Sequence, residues 1–196
     1  MRVSEYYDAL IDAQNDPVND PEPLREYMDG WDGQAFFDEL ELDKRLSVLE
    51  VGVGTGRLAV KAAPLCGRLC GIDISPKTAE RAKIHLAPFF NAEVICADFM
   101  TYGFEEDFDR IYSSLTLMHI KDKAECLHRM VALLKRDGKL VLSIDKSKAE
   151  RIDFGEFGIE VYPDDPEYIA GLIEKSGLEL VRITETAFAY ILSAKK

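Results

Sequence analysis

From residue 46 onward the chain alternates short apolar runs with stretches whose apolar residues recur every three or four positions. Runs at 46–51 (LSVLEV), 68–74 (RLCGIDI), 92–96 (AEVIC), 108–114 (FDRIYSS) and 138–144 (GKLVLSI) read as strands of a parallel sheet covered on both faces. A helix is predicted from Ser75, an N-cap followed by Pro76 at the first helical position, to near Pro88. A second starts at Asp122 with Glu125 three residues on, presents Ala124, Leu127, Val131 and Leu134, and stops at Gly138. A third starts at Asp165 and Pro166, presents Ile169, Leu172 and Ile173, and stops at Gly177. The last two runs, 178–184 (LELVRIT) and 187–193 (AFAYILS), leave no room for a crossover helix and must pair antiparallel. The expectation is an α/β fold: a doubly wound, seven-stranded sheet, mostly parallel with a reversed last strand and helices on both faces.

Residues 1–45 break this pattern. They carry thirteen acidic residues against four basic ones, a local charge of −9 out of −12 for the whole chain. Tyr6, Tyr7, Tyr27, Trp31, Phe36 and Phe37 are spaced among those acids. Acids keep such a segment wet while its aromatics need a surface to lie on, so it reads as an acidic helical extension over a sheet edge or as a lid. The compact domain is placed at 46–196. The 196 residues suffice for one domain with a full core. With Lys and Arg outnumbered 24 to 36 and never in a run, a nucleic acid partner is not expected. No apolar run reaches a membrane span, and the start MRVSEYYDAL has no apolar leader core, so the expectation is a soluble cytoplasmic protein. The four cysteines, at 66, 70, 96 and 126, have neither knuckle nor disulfide-frame spacing and read as free thiols, with at least Cys96 in the core.

The candidate chemistry begins at Glu50-Val51-Gly52-Val53-Gly54-Thr55-Gly56, directly after a strand and before a helical run. Glycines there allow a sharp turn and a close approach of backbone N–H groups to a nucleotide-like ligand at a helix N-terminus. The third glycine of the dinucleotide fingerprint would fall at position 57, which is Arg57, so NAD and FAD are disfavoured. Asp73, ending the second strand in GIDIS, is placed one strand over, where a carboxylate can accept both hydroxyls of a ribose. Asp98, after the third strand, can take an adenine amine while Phe99 covers the ring.

Across about residues 46–145 this order of motifs (EVGVGTG, GIDIS, CADF, FDRIYSSLTLMHI, LLKRDGKLVLSI) resembles the class I S-adenosylmethionine-dependent methyltransferases, small-molecule type. The resemblance implies a Rossmann-like fold and S-adenosyl-L-methionine as cofactor, leaving S-adenosyl-L-homocysteine. It implies that Gly52, Gly54 and Gly56 approach the methionine part, with Glu50 near its ammonium. Asp73, with Ile74 beside it, would hold the ribose, Asp98 and Phe99 the adenine, and Ser114 would border the methionine side.

Methyl transfer from a sulfonium needs positioning and exclusion of water more than a catalytic triad, and no metal ligand spacing appears around His85, His119 or His128. His85 and His128 read as surface or packing residues. His119, just past the fourth strand, suits a general base as well as it suits a residue packed under the loop; as a base, it would titrate near 6.5. The acceptor is expected to be a small molecule lying against Tyr6, Tyr7, Trp31 and Tyr162, since the 146–164 insertion is short. A nicotinamide-dependent oxidoreductase and a non-catalytic S-adenosylmethionine-binding module are the competing readings. Oligomeric state is left open.

Overall fold

In the computed structural model, which describes residues 1–155 and 157–196, the chain starts with three helices. These are α1 (Val3–Asp12), α2 (Glu22–Met28) and α3 (Gly33–Leu40). The alternating part follows as β1 (Ser47–Val51), α4 (Ala59–Ala62), β2 (Arg68–Asp73), α5 (Pro76–Leu86), β3 (Ala92–Cys96) and β4 (Phe108–Ser114). It continues with α6 (Lys123–Ala132), β5 (Leu134–Asp145), β6 (Arg151–Phe154), β7 (Phe157–Glu160), α7 (Pro166–Lys175), β8 (Glu179–Glu185) and β9 (Ala189–Lys195). The main sheet has the order β3-β2-β1-β4-β5-β9-β8, and β9 runs antiparallel to both its neighbours. The expected seven strands and reversed last strand are therefore present, and the order reverses between β1 and β4. That reversal opens a crevice at the carboxyl edge, where open α/β sheets bind ligands.

The caps expected from sequence hold the helix starts in place. Ser75 Oγ accepts Thr78 N–H at 3.2 Å, Asp122 accepts Glu125 N–H at 3.0 Å and Asp165 accepts Tyr168 N–H at 2.9 Å. One core lies between the sheet and α6 and α7, around Leu127, Met130, Ile169 and Ile173. The opposite core includes Ala59, Ala62, Ala82 and Leu86 together with Phe36 and Leu40 of α3, both fully buried. The acidic segment thus supplies core as well as cover. A third, small cluster joins Tyr6 of α1 to Ile159 and Val161.

Three local expectations need correction. Cys96 is exposed, because β3 is the edge strand of the sheet; Cys66, Cys70 and Cys126 are the buried thiols. The helix from Asp122 does not reach Gly138 but ends at Ala132, and β5 begins at Leu134. Leu134 pairs with Phe108, after which the register breaks before Arg110 meets Lys139, with Asp137 at φ +63. The polar Lys135–Gly138 stretch is therefore a bulge within a strand rather than the end of a helix. Finally, the 146–164 insertion contains the antiparallel β6–β7 hairpin, which was not expected.

Candidate active site

A cavity of about 660 Å³ occupies the carboxyl edge between β1 and β4, within the size range of small-molecule sites. Its floor is the glycine turn and the ends of β1, β2 and β4, while Val3 and Tyr7 of α1, Asn15, Pro17 and Met28 line it from above.

On the floor, Gly54 sits at φ +57, and a Cβ added there would meet nothing within 4 Å. Its N–H donates to Asp73 Oδ2 at 2.9 Å, and Ser75 N–H donates to Asp73 Oδ1 at 2.9 Å. Burial raises the pKa of Asp73 despite backbone donors from Ser75, Gly54 and Ile74. Glu50 is almost wholly buried and accepts the Tyr112 hydroxyl at 2.7 Å; burial pushes its carboxyl up to about 8.

At the other end, the Tyr7 hydroxyl and His119 Nε2 lie 2.8 Å apart, sharing one hydrogen bond, and both residues line the cavity. Burial, with the Asp73 charge second, raises the Tyr7 hydroxyl far above its ordinary value and keeps it protonated. His119 is pushed down to about 4, first by burial and then by the Lys123 ammonium, so the expected titration near 6.5 does not hold. His119 Nδ1 is buried without a partner, so its route to the cavity runs through Nε2 and Tyr7.

The roof is tied down by contacts that sequence reading missed. Asp32, 1% exposed, caps α3 through Gly33 N–H, takes Arg57 Nη1–H at 3.0 Å and takes the Ser114 hydroxyl at 3.0 Å. Arg57, which displaces the dinucleotide glycine, thereby clasps the N-terminal segment to the glycine turn. Asp8 accepts Ser75 Oγ–H at 2.7 Å and Lys77 N–H at 3.0 Å, placing a carboxylate at the N-terminus of α5. Of the two readings of His85, surface or packing, the second holds: its Nδ1 lies 2.8 Å from Thr55 O, and its Nε2 meets Asp16 and Asn19 at 3.2 Å. Long-range pairs such as Arg57–Asp32 carry no local spacing signal.

Of the residues singled out from sequence, Glu50, Gly52, Gly54, Asp73, Ile74, Asp98, Phe99, Ser114, Tyr7 and His119 all line this cavity. Gly56 does not, and faces Ala82 of α5 instead. Phe99 is mainly core, with the Arg129 guanidinium 5.4 Å from its ring centre. Three expected acceptor contacts lie elsewhere. Tyr6 is buried beneath α1, Trp31 stacks on Phe188 at 4.7 Å, and the Tyr162 hydroxyl donates to Glu160.

Residues 49–142 match the family described as a methyltransferase domain. Just under half of the chain is thus similar to methyltransferase domains. Nodulation protein S of Bradyrhizobium diazoefficiens is 26% identical to it over 127 residues, 61% of this chain and 61% of that protein. A malonyl-[acyl-carrier protein] O-methyltransferase of Acetivibrio thermocellus is 32% identical over 147 residues, 72% of this chain but 46% of that protein. The match thus spans about half to three fifths of these curated relatives. Among solved structures, the N-methyltransferase NodS of Bradyrhizobium japonicum WM9, in complex with S-adenosyl-L-homocysteine, has the same fold, with a TM-score of 0.72 at 18% identity over 97% of each chain. The matches are to methyltransferases rather than to nicotinamide-dependent enzymes, and the NodS structure holds S-adenosyl-L-homocysteine. The site fits that molecule: the place of the missing Gly54 side chain is open, and Asp73 presents a carboxylate acceptor to the cavity. Among the described residues, no helix is long and apolar enough to cross a membrane.

Proposed function

We propose that this methyltransferase domain is an enzyme that transfers the methyl group of S-adenosyl-L-methionine to a small-molecule acceptor held between the glycine turn and the Tyr7–His119 pair. The observation that carries the reading is one roofed cavity with a ribose-type acceptor, Asp73, at one end and a buried acid–base pair at the other. Residues 1–45 act as the cover, and 46–196 as the domain they close. The roof leaves a small space, and the net charge of −12 opposes a nucleic acid acceptor. The four free thiols, Cys66, Cys70, Cys96 and Cys126, suit a reducing, cytoplasmic location.

The cofactor supplies a methyl already activated by a positive sulfur. Of the residues lining the cavity, Glu50 would meet its ammonium, Gly52 and Gly54 its methionine backbone with Ser114 alongside, Asp73 and Ile74 would hold its ribose, and Asp98 and Phe99 its adenine. The roof residues exclude water. Tyr7 takes the proton that the acceptor gives up, while its own proton passes to His119 Nε2. The decisive test is transfer of labelled methyl to an acceptor pool together with production of S-adenosylhomocysteine. Tight binding without any transfer across pools would instead favour a non-catalytic binding module.

Two expectations concern the cofactor alone. Asp73→Ala removes two charge-assisted acceptor positions, worth about 1.5–3 kcal/mol, so S-adenosylhomocysteine affinity falls roughly tenfold to a hundredfold by calorimetry. Because Asp73 also holds Gly54 and Ser75, the melting temperature drops too; unchanged affinity in a folded variant removes the ribose role. The second concerns Glu50, which holds its proton at pH 7 in the free protein. An ammonium beside it favours the carboxylate, so binding releases a proton below about pH 8, and affinity rises as pH climbs to that value. Calorimetry at pH 7 in buffers of different ionisation enthalpy reads this release, and a buffer-independent heat rules out the ammonium contact. Since this carboxyl is raised on folding from 4.5, its stabilisation of the free protein is complete below 4.5 and lost as pH rises through about 8.

A further inference from the structure

The proposed reaction makes no use of Lys123, yet its placement is costly. It is the first residue of α6, directly after the cap Asp122, where the helix dipole favours acids. Its side chain is only 7% exposed. A buried ammonium survives when both its charge and its protons are met. Here Nζ donates to Leu117 O at 3.0 Å and to Tyr162 O at 2.8 Å, and lies 2.6 Å from the carboxylate of Asp164, itself 2% exposed. These partners belong to two segments. Leu117 opens the tight helical turn Leu117–His119, whereas Tyr162 and Asp164 end the stretch between the β6–β7 hairpin and α7. Tyr162 N–H also donates to Met118 O at 2.7 Å, the next residue of the same turn.

We propose that Lys123 is a positioning residue for the acid–base pair: its ammonium clamps the His119 turn to the 162–164 segment and so holds Nε2 against the Tyr7 hydroxyl. The inference rests on His119 acting as the base. The charged and titratable groups around the imidazole are Tyr7 from α1, Lys123 from α6 with Asp164 behind it, and Lys121 and Asp122 on the same cavity wall. Lys123 is the cation that joins burial in holding that imidazole neutral.

The test uses Lys123→Met, which keeps the apolar stem, and the paired variant Lys123→Met/Asp164→Leu, which leaves no unmatched carboxylate in the interior. Imidazole NMR on the whole chain follows the His119 titration, with melting temperature and S-adenosylhomocysteine affinity measured alongside. The expected result is a folded variant with wild-type cofactor affinity whose His119 midpoint climbs from about 4 towards 6.5. A residue that serves only the fold shifts the melting temperature and leaves that midpoint in place, which overturns the proposal. Collapse of the paired variant overturns it as well, because the ammonium then serves folding. Neither readout needs the acceptor. His119→Ala retaining full turnover instead removes the base assignment and leaves the titration result standing, so the two failures are told apart.

Discussion

Gly54→Val loses S-adenosylhomocysteine binding altogether while the sheet remains folded. Gly54 adopts φ +57, a region that costs a β-branched residue about 1–3 kcal/mol. That strain lowers stability but does not unfold a domain with a core on each face of its sheet. Binding suffers more, because the space a side chain would enter is the cavity itself and the Gly54 N–H anchors Asp73. Gly52→Ala behaves differently. Its Cβ would overlap the Thr116 side chain, which follows β4 and precedes the His119 turn, at φ +77. Stability should fall further there, and the acid–base pair should be displaced along with the cofactor. Calorimetry with thermal melting separates the two effects. Wild-type affinity in Gly54→Val would place the ligand elsewhere.

His119→Ala lowers turnover by about 10²-fold, the low end of the 10²–10⁴ range for one proton-transfer residue. The low end is expected because an imidazole held near 4 is a weak base at neutral pH, although it is fully available in its neutral form. Tyr7→Phe loses a comparable factor, since the phenyl ring keeps the packing and breaks the relay at the 2.8 Å bond. Wild-type rate should fall as pH drops through about 4, and the limb assigned to His119 should vanish from the alanine variant. The stability sign follows from the same depression. His119 contributes fully above its ordinary 6.5, and the contribution is lost as pH falls through about 4. Cofactor affinity should not change in either variant. An alanine variant with full turnover would leave positioning as the whole mechanism.

The sheet, its reversed strand and the floor of the site were legible because each has a local signature. Strand runs alternate with capped helices, and EVGVGTG, GIDIS and CADF each sit at a strand end, so their convergence follows from topology. The roof was only half legible. The aromatics of residues 1–45 announced a segment with something to lie on, yet spacing cannot say which of them do so. Tyr7 faces the cavity while Tyr6, its neighbour, turns into the small cluster with Ile159. Trp31 finds Phe188, 157 positions away, and Asp32 finds Arg57. Lys123 carries no sequence signal of its own, and His85 reads equally as surface or packing, because their partners come from distant segments. The Lys135–Gly138 bulge misled for another reason: its turn-like composition suits a helix stop and a strand irregularity equally well.

The place of β9 has a consequence for how the chain is made. It lies between β5 and β8, yet of the strands of this sheet it is the last to be synthesised. Until residues 189–195 emerge, the long strand β5 has one row of backbone groups unpaired and β8 has no neighbour in the sheet. Strands left open in this way are templates for pairing with other chains. Completion of the sheet is therefore a late, long-range event, and nascent chains stalled before Ala189 are the ones that chaperones have to shield.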